Sequence, residues 1–421
     1  MSFNKIFSGS TLSLALVVGL AAPASAGGLE RGGYDIDQLF DSSQYSVESG
    51  VTYVSPHRKL KNARDINPRD GSLTGRSTTA DDTGDYAVPY LGIKAGYGPV
   101  DCLVDYSQPF GATLTPGDGW VGAENNIETR IRSNNYGGTC SYKFDMGPGQ
   151  FRIIGGGFYQ EINGSKERIV LDPALIPFPA STIFDGSGRL TLHDSAWGWR
   201  AGIAYEIPEY AMRASLIYNS RVKYDNLTGT LDLTQVPPTV LAPFTGKKFG
   251  IVGSADAPDS LEMKLQSGIA PDWLAFGSVK WTNWSVLQSI NLCPQASSGL
   301  PCPPGGVTSL GLYYQDGWTI SGGIGHKFND QWAGAVSLAW DRGTSTGYGA
   351  QTDTWTLGVG AAYTPTEHIE WRLGGAIGLL TSGSSGPIIR NGTVIAGTND
   401  ASYSFGNDIF AAVNTSIKFK F

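Results

Sequence analysis

The sequence predicts an all-β protein, a 14-stranded antiparallel transmembrane β-barrel, and three observations carry that prediction. Segments of strict period two recur along the chain, with tryptophan or tyrosine near their ends and aliphatic residues between. This is the pattern of aromatic girdles around an apolar band. After the N-terminus no stretch reaches the roughly 18 apolar residues of a transmembrane helix, and a closed barrel is the other way to satisfy every backbone hydrogen bond in lipid. Tight turns also alternate with long connections, an asymmetry expected of outer-membrane barrels and not of sandwiches. Composition agrees, with 57 glycines, 11% aromatic residues and only 16% charged residues, against roughly 25% charged in ordinary globular chains.

The elements follow in chain order. Residues 1–26, MSFNKIFSGSTLSLALVVGLAAPASA, carry one lysine, an apolar stretch over about Leu12 to Ala22 and an Ala24-Ser25-Ala26 exit. They read as a secretory signal peptide, so the mature chain is expected to begin near Gly27 in a bacterial envelope. Residues 27–44 are too short for a domain and too mixed for a lipid-facing strand. The barrel is placed at 45–421. Its strands are expected at 45–56, 86–97, 100–108, 126–145, 150–163, 194–207, 209–224, 259–269, 273–289, 317–328, 331–342, 353–364, 368–380 and 407–421. The long connections, 57–85, 109–125, 164–193, 225–258, 290–316, 343–352 and 381–406, then share one rim, and with both barrel ends periplasmic they are extracellular.

Alternation fixes which side chains face lipid. In AWGWRAGIAYEI, Trp197, Trp199, Ile203 and Tyr205 share a face opposite Arg200, Gly202 and Glu206. In DWLAFGSVKWTNW, Trp273, Val279 and Trp281 oppose Ser278, Lys280 and Thr282. The inward parity mixes apolar residues (Leu274, Phe276, Ala333, Ala335, Ala376) with scattered charges, among them Arg200, Arg213 and Lys280. Such a lumen suits an amphipathic solute with one acidic end. The ordinary alternative is that those charges form structural pairs inside the barrel. Two connections, LDPALIPFPASTIF (171–184) and LTQVPPTVLAPF (233–244), are strongly apolar although they should face water. Exposed apolar patches mark binding sites, so Leu175, Phe178, Phe184, Leu241 and Phe244 are candidate substrate contacts, together with Arg200, Arg213, Lys280 and Phe276 from the lumen. The same loops could also pack together simply to close the mouth.

Four cysteines are compatible with an oxidising compartment. Cys293 and Cys302 bracket a short loop, and Cys102 and Cys140 fall on neighbouring strands, so both pairs are disulfide candidates. No histidine lies at ligand spacing from either pair, so no metal is expected, and no cofactor is implied. Net charge is −7 without a basic block, which argues against nucleic acid as a partner. Among the four histidines only His193-Asp194 has a suggestive neighbour. Adjacent strand residues point to opposite faces, so an enzyme is not expected. A polar-solute porin is the remaining alternative from another class.

With these segments in hand the chain resembles the FadL family of outer-membrane transporters for long-chain fatty acids and other hydrophobic compounds. The resemblance is clearest in WGWRAGIAYEIPEYAMRASLIYNSRVKYD (197–225) and in LEMKLQSGIAPDWLAFGSVKWTNWSVLQ (261–288), where W-T-x-W-S runs from Trp281 to Ser285. It implies a fourteen-stranded barrel plugged by an N-terminal hatch, here 27–44, and passive import of a hydrophobic molecule. Capture would occur between loops 164–193 and 225–258, and a kink in the third strand would give a lateral exit into the membrane. Pro109 and Gly111 suit a kink, because proline removes a ladder donor and glycine tolerates bending. Where many members carry Asn-Pro-Ala, this chain has Asp41-Ser42-Ser43, and LYYQDGWTISGG lacks the expected cation. A neutral aromatic or aliphatic hydrocarbon therefore stays open as the substrate. The chain ends in IKFKF, alternating apolar and basic residues up to Phe421. A terminal aromatic of this kind resembles the signal read by the barrel-assembly machinery, and the expected partners are that machinery, outer-membrane lipid and a hydrophobic substrate.

Overall fold

The computed structural model describes residues 27–66, 73, 75–170, 186–236, 244–390, 392–396 and 401–421. The leader 1–26 and Leu175, Phe178, Phe184 and Leu241 lie outside them. Fourteen antiparallel strands close into a barrel. They are β1 (Tyr45–His57), β2 (Tyr86–Tyr97), β3 (Val100–Ser107, resumed as Gly111–Leu114), β4 (Glu128–Met146), β5 (Gly149–Val170), β6 (Gly186–Ile207) and β7 (Met212–Asn219, then Val222–Asp232). The circuit continues with β8 (Lys248–Ala257, then Ser260–Ala270), β9 (Trp273–Thr282, resumed as Ser289–Pro294), β10 (Gly317–Lys327), β11 (Trp332–Arg342), β12 (Thr354–Thr366), β13 (Ile369–Leu380) and β14 (Asp408–Lys420). Closure comes from β1 pairing with β14, from Ser46 opposite Lys420 to His57 opposite Ile409.

Alternation along each strand sorts the side chains as period two requires. Trp197, Trp199, Ile203, Trp273, Trp332, Leu338 and Trp371 are exposed on the outer wall, whereas Arg200, Leu274, Asp341 and Ala376 are buried inside. Ile417, Phe419 and Phe421 face outward and Lys418 is buried. Phe421 exchanges backbone hydrogen bonds with Tyr45 in both directions, at 2.8 and 3.1 Å, which seals the seam.

Two expected boundaries are corrected. Strands β5 and β6 run 22 residues each, the outer segments of β7 and β8 pair with each other, and that of β7 also pairs with β6. Much of 164–193 and 225–258 is therefore barrel wall that rises past the membrane, not loop. The physical reason is a change of environment along one strand. Inside the membrane β6 turns Trp197 and Trp199 outward to lipid; above it the same strand buries Leu190 and Leu192 in the lumen and turns Arg189 and His193 out.

Above β1 and β13, short strands Gly383–Ser385, Ala401–Phe405, Lys59–Asp65 and Ala80–Asp81 form a separate four-stranded sheet. Leu60, Ala63, Trp120, Tyr403 and Phe405 pack beneath it as a small core at the barrel mouth. Disulfides join Cys102 to Cys140, opposite each other on β3 and β4, and Cys293 to Cys302 beyond β9.

Candidate functional site

Residues 27–44 run inside the barrel. A 3₁₀ turn, Asp37–Phe40, buries Gln38, Leu39 and Phe40. The Gln38 amide donates to the Ser46 carbonyl, the Ser46 hydroxyl and the Gly92 carbonyl, and so ties the segment to β1 and β2. Charge does the rest. Glu30 pairs with Lys280, Asp37 with Lys264 at 3.0 Å and with Arg213 at 3.7 Å, and Asp41 with Lys418 at 3.1 Å. Burial pushes the Asp37 carboxyl up, but Lys264 and Arg213 outweigh it and hold the group at about 2. Lys418 and the Ser43 donors likewise hold Asp41 well below the ordinary carboxylate range against the cost of burial. Four barrel strands thus supply cations to a segment that supplies carboxylates.

Above this plug lies a cavity of about 350 Å³. Its walls are largely apolar, with Phe110, Ile162, Leu190, Leu192, Tyr224, Leu227, Trp284, Leu287 and Phe410 among them, and its floor is Gly28, Leu29, Glu30 and Arg31. Trp284 sits in the middle of this wall, 5.6 Å from the Phe110 ring and 6.0 Å from that of Tyr314. Gly28 passes against the indole with a φ of +59°, and a Cβ there would lie 2.7 Å from it, so only glycine fits.

Beside the cavity the barrel wall is interrupted. The β2–β3 ladder stops at Leu91 opposite Tyr106. After the break at Gln108–Phe110, the resumed strand Gly111–Leu114 pairs with β4. The wall is rejoined higher up, where Thr83 bridges Leu114. Between those two points no ladder pair joins β2 to β3 among the described residues, and the N-terminal segment fills the window. Arg31 N–H donates to the Pro109 carbonyl, Gly32 N–H to the Gln108 carbonyl, and Gly111 N–H to the Leu29 carbonyl. The Arg31 side chain spans the window, with its guanidinium 3.8 Å above the Tyr86 ring of β2 and donating to the Thr113 hydroxyl of β3. A Cβ on Gly111 would lie 2.8 Å from Arg31 Cδ and 2.8 Å from the Ile131 carbonyl oxygen.

The sequence-derived site residues divide accordingly. Pro109 and Gly111 frame the window. Phe244 lies 5.9 Å from Phe249 in an apolar cluster that includes Leu190, Leu192 and Leu227 of the cavity wall. Arg200, Arg213, Lys280 and Phe276 are not among the lining residues. Arg200 faces Asp105 at 3.8 Å and lies 5.6 and 5.2 Å from the Tyr34 and Phe158 rings, while Phe276 packs against Leu274. Lys280 and Arg213 pair with carboxylates of the N-terminal segment, whereas Arg200 pairs with Asp105 of β3. Sequence reasoning missed Arg31, Asp82 and Arg58, all of which line the cavity. Trp284 stood inside the W-T-x-W-S run, which was the signal available for it.

The model of the family described as outer membrane protein transport protein (OMPP1/FadL/TodX) matches residues 39–371. The long-chain fatty acid transport protein of Salmonella typhi is 25% identical over 322 residues, covering 72% of this chain and 69% of that protein. Its counterpart in Escherichia coli (strain K12) is 24% identical over 332 residues, covering 72% and 70%. Among solved structures, a Pseudomonas aeruginosa FadL homologue superposes with a TM-score of 0.74 at 16% identity, covering 96% of this chain and 97% of that one. The P. putida toluene transporter TodX gives 0.60 at 14% identity, with 91% and 92% covered.

Proposed function

Because this chain belongs to the OMPP1/FadL/TodX family of outer-membrane transport proteins, we propose that it imports long-chain fatty acids or comparable hydrophobic molecules passively, through the apolar cavity and sideways through the window between β2 and β3. It is a β-barrel of the bacterial outer membrane, and its family's activity is transport. The observation that carries the reading is continuity: Phe110, Gly111, Thr113 and Tyr86 line the cavity and border the window at once. A hydrophobic solute in that cavity would meet the bilayer, and not the periplasm, as its nearest apolar phase, while the ion-paired plug closes the way below.

Capture is assigned to the extracellular apolar segments around Phe178 and Phe244, which adjoin the long β5–β6 and β7–β8 walls in sequence. Fatty acid is placed first as substrate because the curated relatives are long-chain fatty acid transport proteins, and because charged side chains, Arg31 and Lys166 as well as Glu30 and Asp82, stand among the apolar residues of the lining. The named relatives are fatty-acid and toluene transporters, so the test uses both chemistries. Cells lacking their own transporter, with and without this protein, are given labelled oleate or labelled toluene. Oleate uptake that rises on expression supports the reading. Toluene uptake alone moves the substrate to neutral hydrocarbons, and a large steady ionic conductance in planar bilayers would replace the reading by a porin. Within the same assay, Phe178→Asp with Phe244→Asp should weaken capture of dilute substrate; wild-type behaviour removes those segments from the proposed route.

A further inference from the structure

We propose that signal-peptide removal creates a structural group of this barrel: cleavage after Ala26 leaves an α-ammonium on Gly27, which forms a buried ion pair with Asp341 and locks the start of the plug to β11. The inference starts from an unmatched charge. Asp341 points into the barrel and is 5% exposed. Its Oδ2 accepts a hydrogen bond from the Thr319 hydroxyl, but its Oδ1 is buried with no hydrogen-bond partner among the described residues. A buried carboxylate left without a counter-charge is strongly unfavourable.

The cations nearby are committed elsewhere. Lys280 is held by Glu30, and Arg342, the next residue, donates to the Gln315 amide. The other charges that face Asp341 are the carboxylates of Glu30 and Asp353, which add to the excess of negative charge. What does stand against Asp341 is Gly27, itself buried. A Cβ built on its Cα would lie 2.9 Å from Oδ1 and 3.3 Å from Oδ2. Once freed from Ala26, the α-nitrogen can turn about the Cα–C bond into the direction that such a Cβ would take, and a side chain at this position would displace the carboxylate.

Gly27 is also where the A-x-A exit places the first residue of the mature chain. In an uncleaved chain the same nitrogen is a neutral amide with one hydrogen to donate. After cleavage it is an ammonium with three, able to meet Oδ1 and neutralise the carboxylate in a charge-assisted hydrogen bond. The Gly27 carbonyl then accepts from Glu30 N–H at 3.1 Å, so the locked terminus positions Glu30 for Lys280. Maturation and plug seating thereby become one event, whatever the cargo.

The test uses protein purified from outer membranes. Mass spectrometry of the N-terminal peptide should find Gly27 first, with a free amine. Reductive methylation at neutral pH should then modify that amine about tenfold more slowly in the native barrel than in urea, a rate ratio equivalent to one unit of pKa displacement. Asp341→Asn, with folding verified by heat-modifiable gel migration, should abolish most of the difference. A different first residue, or a Gly27 amine equally protected in Asp341→Asn, overturns the proposal. Should that variant fail to fold, the wild-type pH profile decides. A carboxylate-held ammonium starts to react above the usual α-amino range of about 7.7–8.0, and onset within that range overturns the ion pair.

Discussion

Lys418→Met offers a quantitative test of how the plug is held. Lys418 Nζ lies 3.1 Å from Asp41 of the plug and 3.0 Å from Glu48 of β1, and all three side chains are at least nine-tenths buried. Glu48 keeps Arg372 at 3.0 Å and the Ser416 hydroxyl when the lysine is lost. Among the described residues Asp41 keeps the Ser43 amide and hydroxyl donors and the more distant charge of Lys420, itself bonded to Glu370. Removing one partner of a buried pair costs about 3–5 kcal/mol, because the other charge stays buried. The cost falls on the seated plug, since an unseated Asp41 regains water. At 1.4 kcal/mol per factor of ten, the unseated population should rise by about 150- to 4,000-fold. Open probability in planar bilayers at fixed salt reads this directly. Asp41→Asn combined with Lys418→Met should return most of the closure, because the orphaned charge is gone. A single variant as closed as wild type, or a double variant as open as the single, would refute the reasoning.

Three further outcomes are expected. Gly111→Val places methyl groups against Arg31 and the Ile131 carbonyl, so oleate uptake should fall while the barrel still assembles, at a stability cost of about 1–3 kcal/mol. Uptake at the wild-type rate in an assembled barrel would free the window from its assigned role. Burial raises the Asp82 carboxyl to about 6, against the pull of Arg58. The folded state therefore binds more protons than the unfolded one between about pH 4 and pH 6, and local stability falls as pH rises through that window. Asp82→Asn should flatten this dependence and slow amide exchange of Lys59–Asp65 at pH 7, corresponding to about 1–3 kcal/mol; exchange in that segment that ignores both pH and the substitution would contradict it. Deleting Phe421 removes both backbone bonds to Tyr45. Folded protein in the outer membrane should drop, while uptake per folded molecule stays level.

What the sequence disclosed depended on where each signal is local. The strands from β10 to β14 could be read to within two residues of their ends, because Trp318, Trp332, Trp355 and Trp371 mark an apolar face turned to lipid. By contrast β9, expected as one run over 273–289, breaks after Thr282 into a 3₁₀ turn that carries Trp284 inward and resumes at Ser289. The upper halves of β5 to β8 escaped, because there Leu190, Leu192, Phe249 and Ile251 turn inward and water lies outside. A search for the lipid-facing pattern has nothing to register in that zone. The lumen cations were located correctly, but their partners were not legible: Lys280 meets Glu30 across 250 positions, and Lys418 meets Asp41 across 377. Arg31 had no signal of its own, since its contacts with Tyr86 and Thr113 exist only once the barrel has closed.

The backbone bonds that the N-terminal segment lends to Pro109, Gln108 and Gly111 have an effect on membrane integrity. If the plug withdrew, those peptide groups would stand bare beside hydrocarbon, where each costs several kcal/mol. The nearest remedy is the free edge of β2, and pairing with it would zip the wall shut. On the lateral route proposed above, the side door and the axial bore would be alternatives, the state that frees the bore being the state that shuts the door. A barrel so built would pass a hydrophobic solute sideways without a continuous aqueous pore through the membrane.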